Sequence, residues 1–348
     1  MLDAEYSAAP DSTRRLIDFQ PGERFENAVF AISDRQIKRT AGDTPYLAIK
    51  LRDCTGECNA RWFSPPLDIL AQLEGARLVR VKGRVETPHP VFGGGFKLEN
   101  CQPAETPDDL SPFLPPLPQD HAAHRARFME VVRAVRSTPL KALLKEIFRP
   151  DGAIWPCFET APAAKSLHHS HRGGLLEHSG EVALLCERVA ATLPHLDRDL
   201  LIAGALLHDI GKLDEMQSDL SCGEYTAAGH LVGHVVLGTC TVASAIEKIE
   251  NFPVALKHEL MHLILSHHGR LEHGAARVPM CAEAMVLSLC DLMSAKAAQC
   301  REQMDKSDGD DFVCDDFVKI YGWETEKVYF GAMKRTVGEA GRNQEESL

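Results

Sequence analysis

Several apolar helical stripes in the second half of the chain carry a histidine or aspartate among their hydrophobic residues. After Gly173-Gly174 the stripe Leu175, Val182, Leu185, Val189 includes His178. In DLLIAGALLHDIGK, His208 follows Leu201, Gly204 and Ala205 on one face, Asp209 is adjacent, and Gly211 is the expected helix end. His234 lies between Leu231 and Leu237, His267 follows Leu260, Leu263 and Ile264, and Asp291 follows Leu287 and Ser288. One histidine on an apolar face is ordinarily a core residue satisfied by a hydrogen bond. A buried ionisable group is costly unless it is paired or bound to metal, so successive helices that each bury one point to convergence on metal. Imidazole and carboxylate without thiolate suit manganese, iron, cobalt, nickel or zinc better than magnesium.

The order H…HD…H…H…D resembles the HD-domain phosphohydrolase superfamily. His178 matches its first histidine, His208-Asp209 the pair that names it, His234 and His267 the later histidines, and Asp291 the closing aspartate. The resemblance implies an all-helical domain whose divalent metal ions activate water against a phosphate ester. His178, His208, Asp209 and Asp291 would hold one ion. The doublet His267-His268, with His234, supplies ligands for a second, Asp209 bridging the two, and manganese is the first choice. Lys212, directly after HDIG, is implied to neutralise a bound phosphate; the plainer role is a helix-end lysine near the last carbonyls. Arg172, in KSLHHSHRGG, suits bidentate phosphate binding and equally a surface ion pair. After the doublet, GRLEHGAARVP departs from HHExxDGxGYP, which sets the cyclic-dinucleotide branch aside.

His258-Glu259-Leu260-Met261-His262 is a competing HExxH pattern, with His268 where a third zinc ligand would fall. The glycine that the extended motif needs between the second and third histidines is Leu265 here. Helical spacing also groups His267, not His258, with Leu260, Leu263 and Ile264. A protease is therefore not expected, and His258 and His262 read as an exposed helix face.

Upstream, FENAVFAISDRQIKRT, TPYLAIKLRDCTGECNARWFS and LVRVKGRVETPH alternate like strands, and PPLDILAQLEG is a single short helix between them. Strands with one helix in residues 21–104 fit a small closed barrel of the OB type, an SH3-like barrel being the structural alternative. Residues 1–20 read as a flexible arm and the proline-rich residues 105–120 as a stiff linker. The expected organisation is multidomain: a small all-β OB-type barrel followed by an all-α HD-domain helical bundle over 121–305, with a C-terminal tail containing a helix over 306–348.

The net charge of −12 argues against coating duplex nucleic acid by bulk charge. Charge is uneven, however: residues 21–104 carry 12 Lys and Arg against 10 Asp and Glu, and 13 of the 16 histidines follow residue 165. Eleven cysteines without a CxxC pair suggest reduced thiols in a cytoplasmic protein. No stretch approaches the roughly 20 apolar residues of a membrane helix, and MLDAEYSAAPDSTRR has no secretory pattern.

OB barrels bind single strands by stacking bases on aromatic rings beside a basic groove. Tyr46, Trp62 and Phe92, with Arg61 among the interleaved cations, are the candidates here. An OB barrel joined to a helical HD domain resembles the YhaM family of 3′-to-5′ exoribonucleases over residues from about 20 to 300. HRGGLLEH, LLIAGALLHDIGK, LVGH and LILSHHG carry the resemblance. It implies metal-dependent release of 5′-mononucleotides from the 3′ end of single-stranded RNA, with DNA as an alternative polymer. Asp209 would orient the attacking water and Lys212 would offset charge on the phosphate. Two other readings compete: an HD phosphohydrolase of small nucleotides whose barrel is an interaction module, and a non-catalytic nucleic-acid binder with a relic metal site. The complete ligand set argues against the second. Self-association into a homo-oligomer is left open.

Overall fold

Alternating apolar and polar residues form long strands in the computed structural model, which describes residues 14–40, 42–89, 93–165, 169–217, 224–306, 312–313 and 328–329. The chain divides into two compact units: Met1–Leu117 with Gln217–Cys222, and Pro118–Met216 with Gly223–Leu348.

In the first unit β1 (Arg24–Arg39), β2 (Pro45–Asp53), β3 (Gly56–Phe63), β4 (Leu78–His89) and β5 (Gly93–Pro103) close into a barrel of order β1-β2-β3-β5-β4. Helix α1 (Leu67–Leu73) joins β3 to β4, and β3 pairs with β5 in parallel. This order and helix position are consistent with the OB type. The long β1 bends at two register shifts, between Phe25 and Ala28 and between Ile32 and Asp34, which let it pair with β4 along one end and β2 along the other. Strand alternation sends Phe25, Phe30, Leu47, Leu51, Trp62 and Phe96 inward. Burying each such side chain contributes about 1.5–3 kcal/mol.

Two expectations about the flanks change. The arm expected over 1–20 is fixed from Arg14 on: Leu16–Asp18 form a 3-10 turn and Phe19 enters the barrel core, 5.1 Å from Phe25 and 5.3 Å from Phe96. The cause is an apolar ring plus a satisfied backbone donor, since Leu16 N–H donates to buried Asp53 Oδ2 at 2.6 Å. The linker expected over 105–120 also docks in part. Phe113, in the 3-10 turn Ser111–Phe113, packs with Val29, Ala31 and Leu78.

The second unit contains α2 (His121–Ala134), α3 (Thr138–Ile147), α4 (Ile154–Thr160), α5 (Gly174–Thr192), α6 (Arg198–Leu207), α7 (Lys212–Glu215), α8 (Ala227–Leu231), α9 (His234–Ile246), α10 (Val254–Ser266) and α11 (Ala282–Lys306). Leu200 to Leu207 of α6 are all buried, so α6 is the central helix against which α5, α10 and α11 pack. Asp197 caps it, accepting from Asp199 N and Leu200 N. Among the described residues of 121–305, the expected all-helical character is interrupted by the bridge of Met216 to Tyr225. In the tail, the residues described beyond α11 are two short paired strands, Phe312–Val313 and Val328–Tyr329, and the helix expected within 306–348 lies outside the described residues. Among the described residues no helix is long and apolar enough to cross a membrane.

Candidate metal centre

The last carbonyls of a helix lack partners within the helix, and here histidines satisfy two of them. Helix α6 ends at Leu207 rather than running to Gly211, and His208 folds back so that Nδ1 donates to Ala205 O at 2.8 Å. Helix α10 ends at Ser266, and His267 Nδ1 donates to Ile264 O at 2.7 Å in the same way. Each ring then directs Nε2 away from its own helix and into the space between α5, α6, α10 and α11. His234 opens α9, and its Nδ1 lies 2.8 Å from Glu215 Oε1, which also accepts from His234 N.

Two glycines allow the backbones to come this close. A Cβ on Gly211 would overlap His234 O and Gly238 N, so only glycine lets the HDIG turn lie against α9. A Cβ on Gly174 would overlap His169 O, where the preceding loop folds over the start of α5.

The geometry has two halves that share Asp209. On one side His178 Nε2 is 3.3 Å from His208 Nε2, 3.6 Å from Asp209 Oδ2 and 3.0 Å from Asp291 Oδ1. On the other, Asp209 Oδ1 is 3.6 Å from Nε2 of both His234 and His267, and His234 Nε2 is 3.2 Å from His268 Nε2. Lys212 Nζ closes the first half at 2.6 Å from Asp209 Oδ2. His178, His208, Asp209 and His267 are almost wholly buried. The structure thus brings His178, His208, Asp209, His234, His267, His268, Asp291 and Lys212 together. Arg172 is half-buried, and its charge acts on His121 of α2.

This donor set fits divalent cations. Neutral imidazoles with hydrogen on Nδ1 present lone pairs at Nε2, and here Nε2 atoms face one another in pairs at 3.2–3.3 Å. Asp209 Oδ1, His267 Nε2 and His268 Nδ1 are buried and make no hydrogen bond. Burial pushes His178, His267 and His268 below the ordinary histidine range, which keeps them in the ligating form. Burial would also lower His208, but Asp209 and Asp291 outweigh it and raise it. A cation would satisfy the same two carboxylates in place of that proton. Burial works to raise Asp209, and the Lys212 ammonium and His208 overcome it, holding the carboxyl well below its usual range.

Around this group lie residues that the sequence reading passed over. Glu215 orients His234. Ser294 Oγ is 3.2 Å from His178 Nδ1 and donates to Glu181 Oε2 at 2.8 Å. Glu177 accepts from His171 at 2.9 Å and from Arg301 at 3.3 Å. A signal existed: Glu177 and Glu181 are four apart beside the His178 stripe, and Ser294 is three after Asp291. His262, expected on an exposed face, accepts from Met280 N at 2.9 Å and so pins the loop before α11.

On the barrel, Trp62 fails as a stacking candidate. Its ring is 7% exposed because β3 turns Ala60 and Trp62 inward and Arg61 and Phe63 outward. The neighbour Phe63, 39% exposed, stacks on Tyr46 with ring centroids 5.4 Å apart, and Lys97 Nζ lies 5.6 Å from its centroid. Beside this pair runs a groove of about 290 Å³ lined by Lys38, Tyr46, Lys50, Asn59 and Arg61. Arg61 is ion-paired to Glu86 at 2.6 Å. Phe92 lies outside the described residues.

The HD domain family model matches residues 175–296. The 3′-5′ exoribonuclease YhaM of Bacillus velezensis is 31% identical over 255 residues, covering 72% of this chain and 79% of the relative. That of Listeria monocytogenes is 29% identical over 293 residues, covering 81% and 88%. A solved structure of RecG bound to a three-way DNA junction is 14% identical and covers 51% of this chain and 25% of that chain, with a TM-score of 0.22, too low to bear on the fold.

Proposed function

The chain belongs to the YhaM 3′-5′ exoribonuclease family, and from that premise we propose that it is a metal-dependent exonuclease that shortens single-stranded RNA from the 3′ end and releases 5′-mononucleotides. Two ions, manganese first among the candidates, would be held by His178, His208, Asp209 and Asp291 and by His234, His267, His268 and Asp209. The observation that carries this is the facing of imidazole Nε2 atoms on both sides of one carboxylate.

When bound, the cations supply Lewis acidity, acidifying water and offsetting charge on the phosphoryl group. The side chains do the rest. Asp209 spans both halves through its two oxygens, and its depressed pKa keeps it an acceptor that can orient the attacking water. Lys212, 13% exposed at the rim, carries the positive charge nearest Asp209 and is placed to neutralise the phosphodiester. Arg172 has the chemistry for a further phosphate contact. The apolar packing of α5, α6, α10 and α11 behind the ligands excludes bulk water, which strengthens each of these interactions.

The stacked Tyr46–Phe63 pair and the neighbouring groove support the barrel as the single-strand holder, with Tyr46 and Arg61 retained as contacts and Phe63 replacing Trp62. DNA remains an alternative polymer for the same face, because stacking is indifferent to the sugar. The pairing of Arg61 with Glu86 and Lys50 with Glu57 favours the second reading, a small-nucleotide phosphohydrolase whose barrel has another partner. One experiment separates them: RNA labelled at the 3′ or the 5′ end, with Mn²⁺ or with chelator. Immediate release of labelled mononucleotide from the 3′ end, a ladder of shortening 5′-labelled products, and no reaction under chelator are expected. Intact RNA with turnover of free nucleotides would replace this reading with the second.

A further inference from the structure

The ligand histidines differ in what holds Nδ1. For His208 and His267 it is a backbone carbonyl, and for His234 it is the Glu215 carboxylate. For His178 it is a hydroxyl, Ser294 Oγ at 3.2 Å, and that hydroxyl donates onward to Glu181 Oε2 at 2.8 Å. A serine hydroxyl has one hydrogen. With that hydrogen directed at the carboxylate, the oxygen presents only lone pairs to His178. Nδ1 would then be the protonated nitrogen, and Nε2 would turn its lone pair toward His208 and Asp291. We infer that Ser294 and Glu181 are positioning residues, a two-step relay that fixes His178 in the tautomer able to ligate a cation through Nε2.

The placement of the two residues supports this. Glu181 is one turn beyond His178 on α5, and Ser294 is one turn beyond Asp291 on α11. The relay therefore ties together the two helices whose ligands meet at 3.0 Å. Ser294 is 3% exposed, whereas the Glu181 side chain is 36% exposed, so the relay runs from the protein surface to a buried ligand. Burial would raise the Glu181 carboxyl, but His169 at 3.4 Å and the Ser294 hydroxyl outweigh it and hold it below its ordinary value. Glu181 thus stays an acceptor. Glu177, Glu181 and His169 also form a group with metal-ligand spacing. Glu177 is committed to His171 and Arg301, however, and a cation there would face the Arg301 guanidinium. The network reads as support for His178 rather than as another metal site.

The inference rests on His178 being a metal ligand, and the test separates the two claims. Nitrogen-15 NMR of the histidine rings in the metal-free full chain, with His178 assigned by its loss in His178→Ala, reads the tautomer directly. Hydrogen on Nδ1 is expected in the wild type. Hydrogen on Nε2 would overturn the relay without any variant. Calorimetric titration with Mn²⁺ should then show about tenfold weaker affinity in Ser294→Ala and in Glu181→Ala. The double variant should be no weaker than either single one, because the two act in series, and Ser294→Thr should recover the loss. Wild-type affinity within twofold in both single variants, while His178→Ala loses an ion, would sink the relay and spare the site. Unchanged stoichiometry and affinity in His178→Ala would sink the site reading itself.

Discussion

His178 Nε2 faces His208 Nε2 at 3.3 Å, although both rings already engage a partner through Nδ1. Two imidazole nitrogens at that distance need something positive between them; Asp209 and Asp291 raise His208 toward holding a proton, and a divalent ion would take that proton's place. The folded chain therefore gains stability from a cation there by mass action, about 2.7 kcal/mol at a hundredfold excess over the dissociation constant. Mn²⁺ added to chelator-treated protein should raise the melting temperature, and His208→Ala should remove most of that rise. Asp209→Asn, which keeps the shape but removes the charge shared by the two halves, should lose both bound metal and hydrolysis while single-strand RNA binding persists. Full turnover in either variant at equal metal loading would show that the ligands are assigned wrongly.

Much of this centre is legible in the amino-acid sequence. The stripes that carry His178, His234, His267 and Asp291 are helical periodicities, and the spacing of a buried stripe survives folding because packing enforces it. What was not legible depends on closure in three dimensions. Trp62 and Phe63 differ by one residue, and the side of β3 that faces inward is set by the barrel's register, so a one-residue choice exchanged a core ring for a surface one. Phe19 and Phe113 sit in segments of loop-like composition, yet each finds an apolar patch on the barrel that no local pattern announces. Ser294 and Glu181 were invisible as a relay because Ser294 lies on another helix, more than a hundred residues from both His178 and Glu181.

Gly211 has an ordinary helical backbone, with φ −66, so its role is space rather than conformational freedom. Gly211→Ala places a methyl group against His234 O and Gly238 N, which are backbone atoms that cannot rotate away. A destabilisation of about 1–3 kcal/mol follows from such overpacking. Because α9 must move to relieve it, His234 should withdraw from Asp209. Mn²⁺ bound per chain at limiting metal should fall along with the melting temperature. Wild-type metal binding in a variant of normal stability would show that α9 is not held by this contact.

The Tyr46–Phe63 stack can be tested apart from the chemistry. Stacking of one base on an aromatic ring is worth about 1–3 kcal/mol, or roughly a tenfold loss of affinity per 1.4 kcal/mol. Phe63→Ala and Tyr46→Ala should each weaken single-stranded RNA binding by about that range and leave hydrolysis of a small chromogenic phosphodiester untouched. Trp62→Ala should behave differently, costing about 3–5 kcal/mol of stability as a core truncation. If Phe63→Ala binds RNA like the wild type and Trp62→Ala folds normally, the barrel face has been read backwards.

Glu177 should shape the acid limb of stability. Its carboxyl is pushed up by burial, but the hydrogen bond from His171 and the charges of His169 and His124 win, bringing it from 4.5 down to about 2. A carboxyl depressed in the folded state binds its proton more readily when unfolded. Its contribution is therefore fully present above about pH 4.5 and is lost as pH falls from there toward 2. Glu177→Gln removes the titrating group, so the variant should start less stable at neutral pH and show a shallower decline across that window. Chemical denaturation at pH 6, 4.5 and 3 measures both slopes. Parallel curves for the two proteins would mean that the His171 and Arg301 contacts hold Glu177 no better than water does.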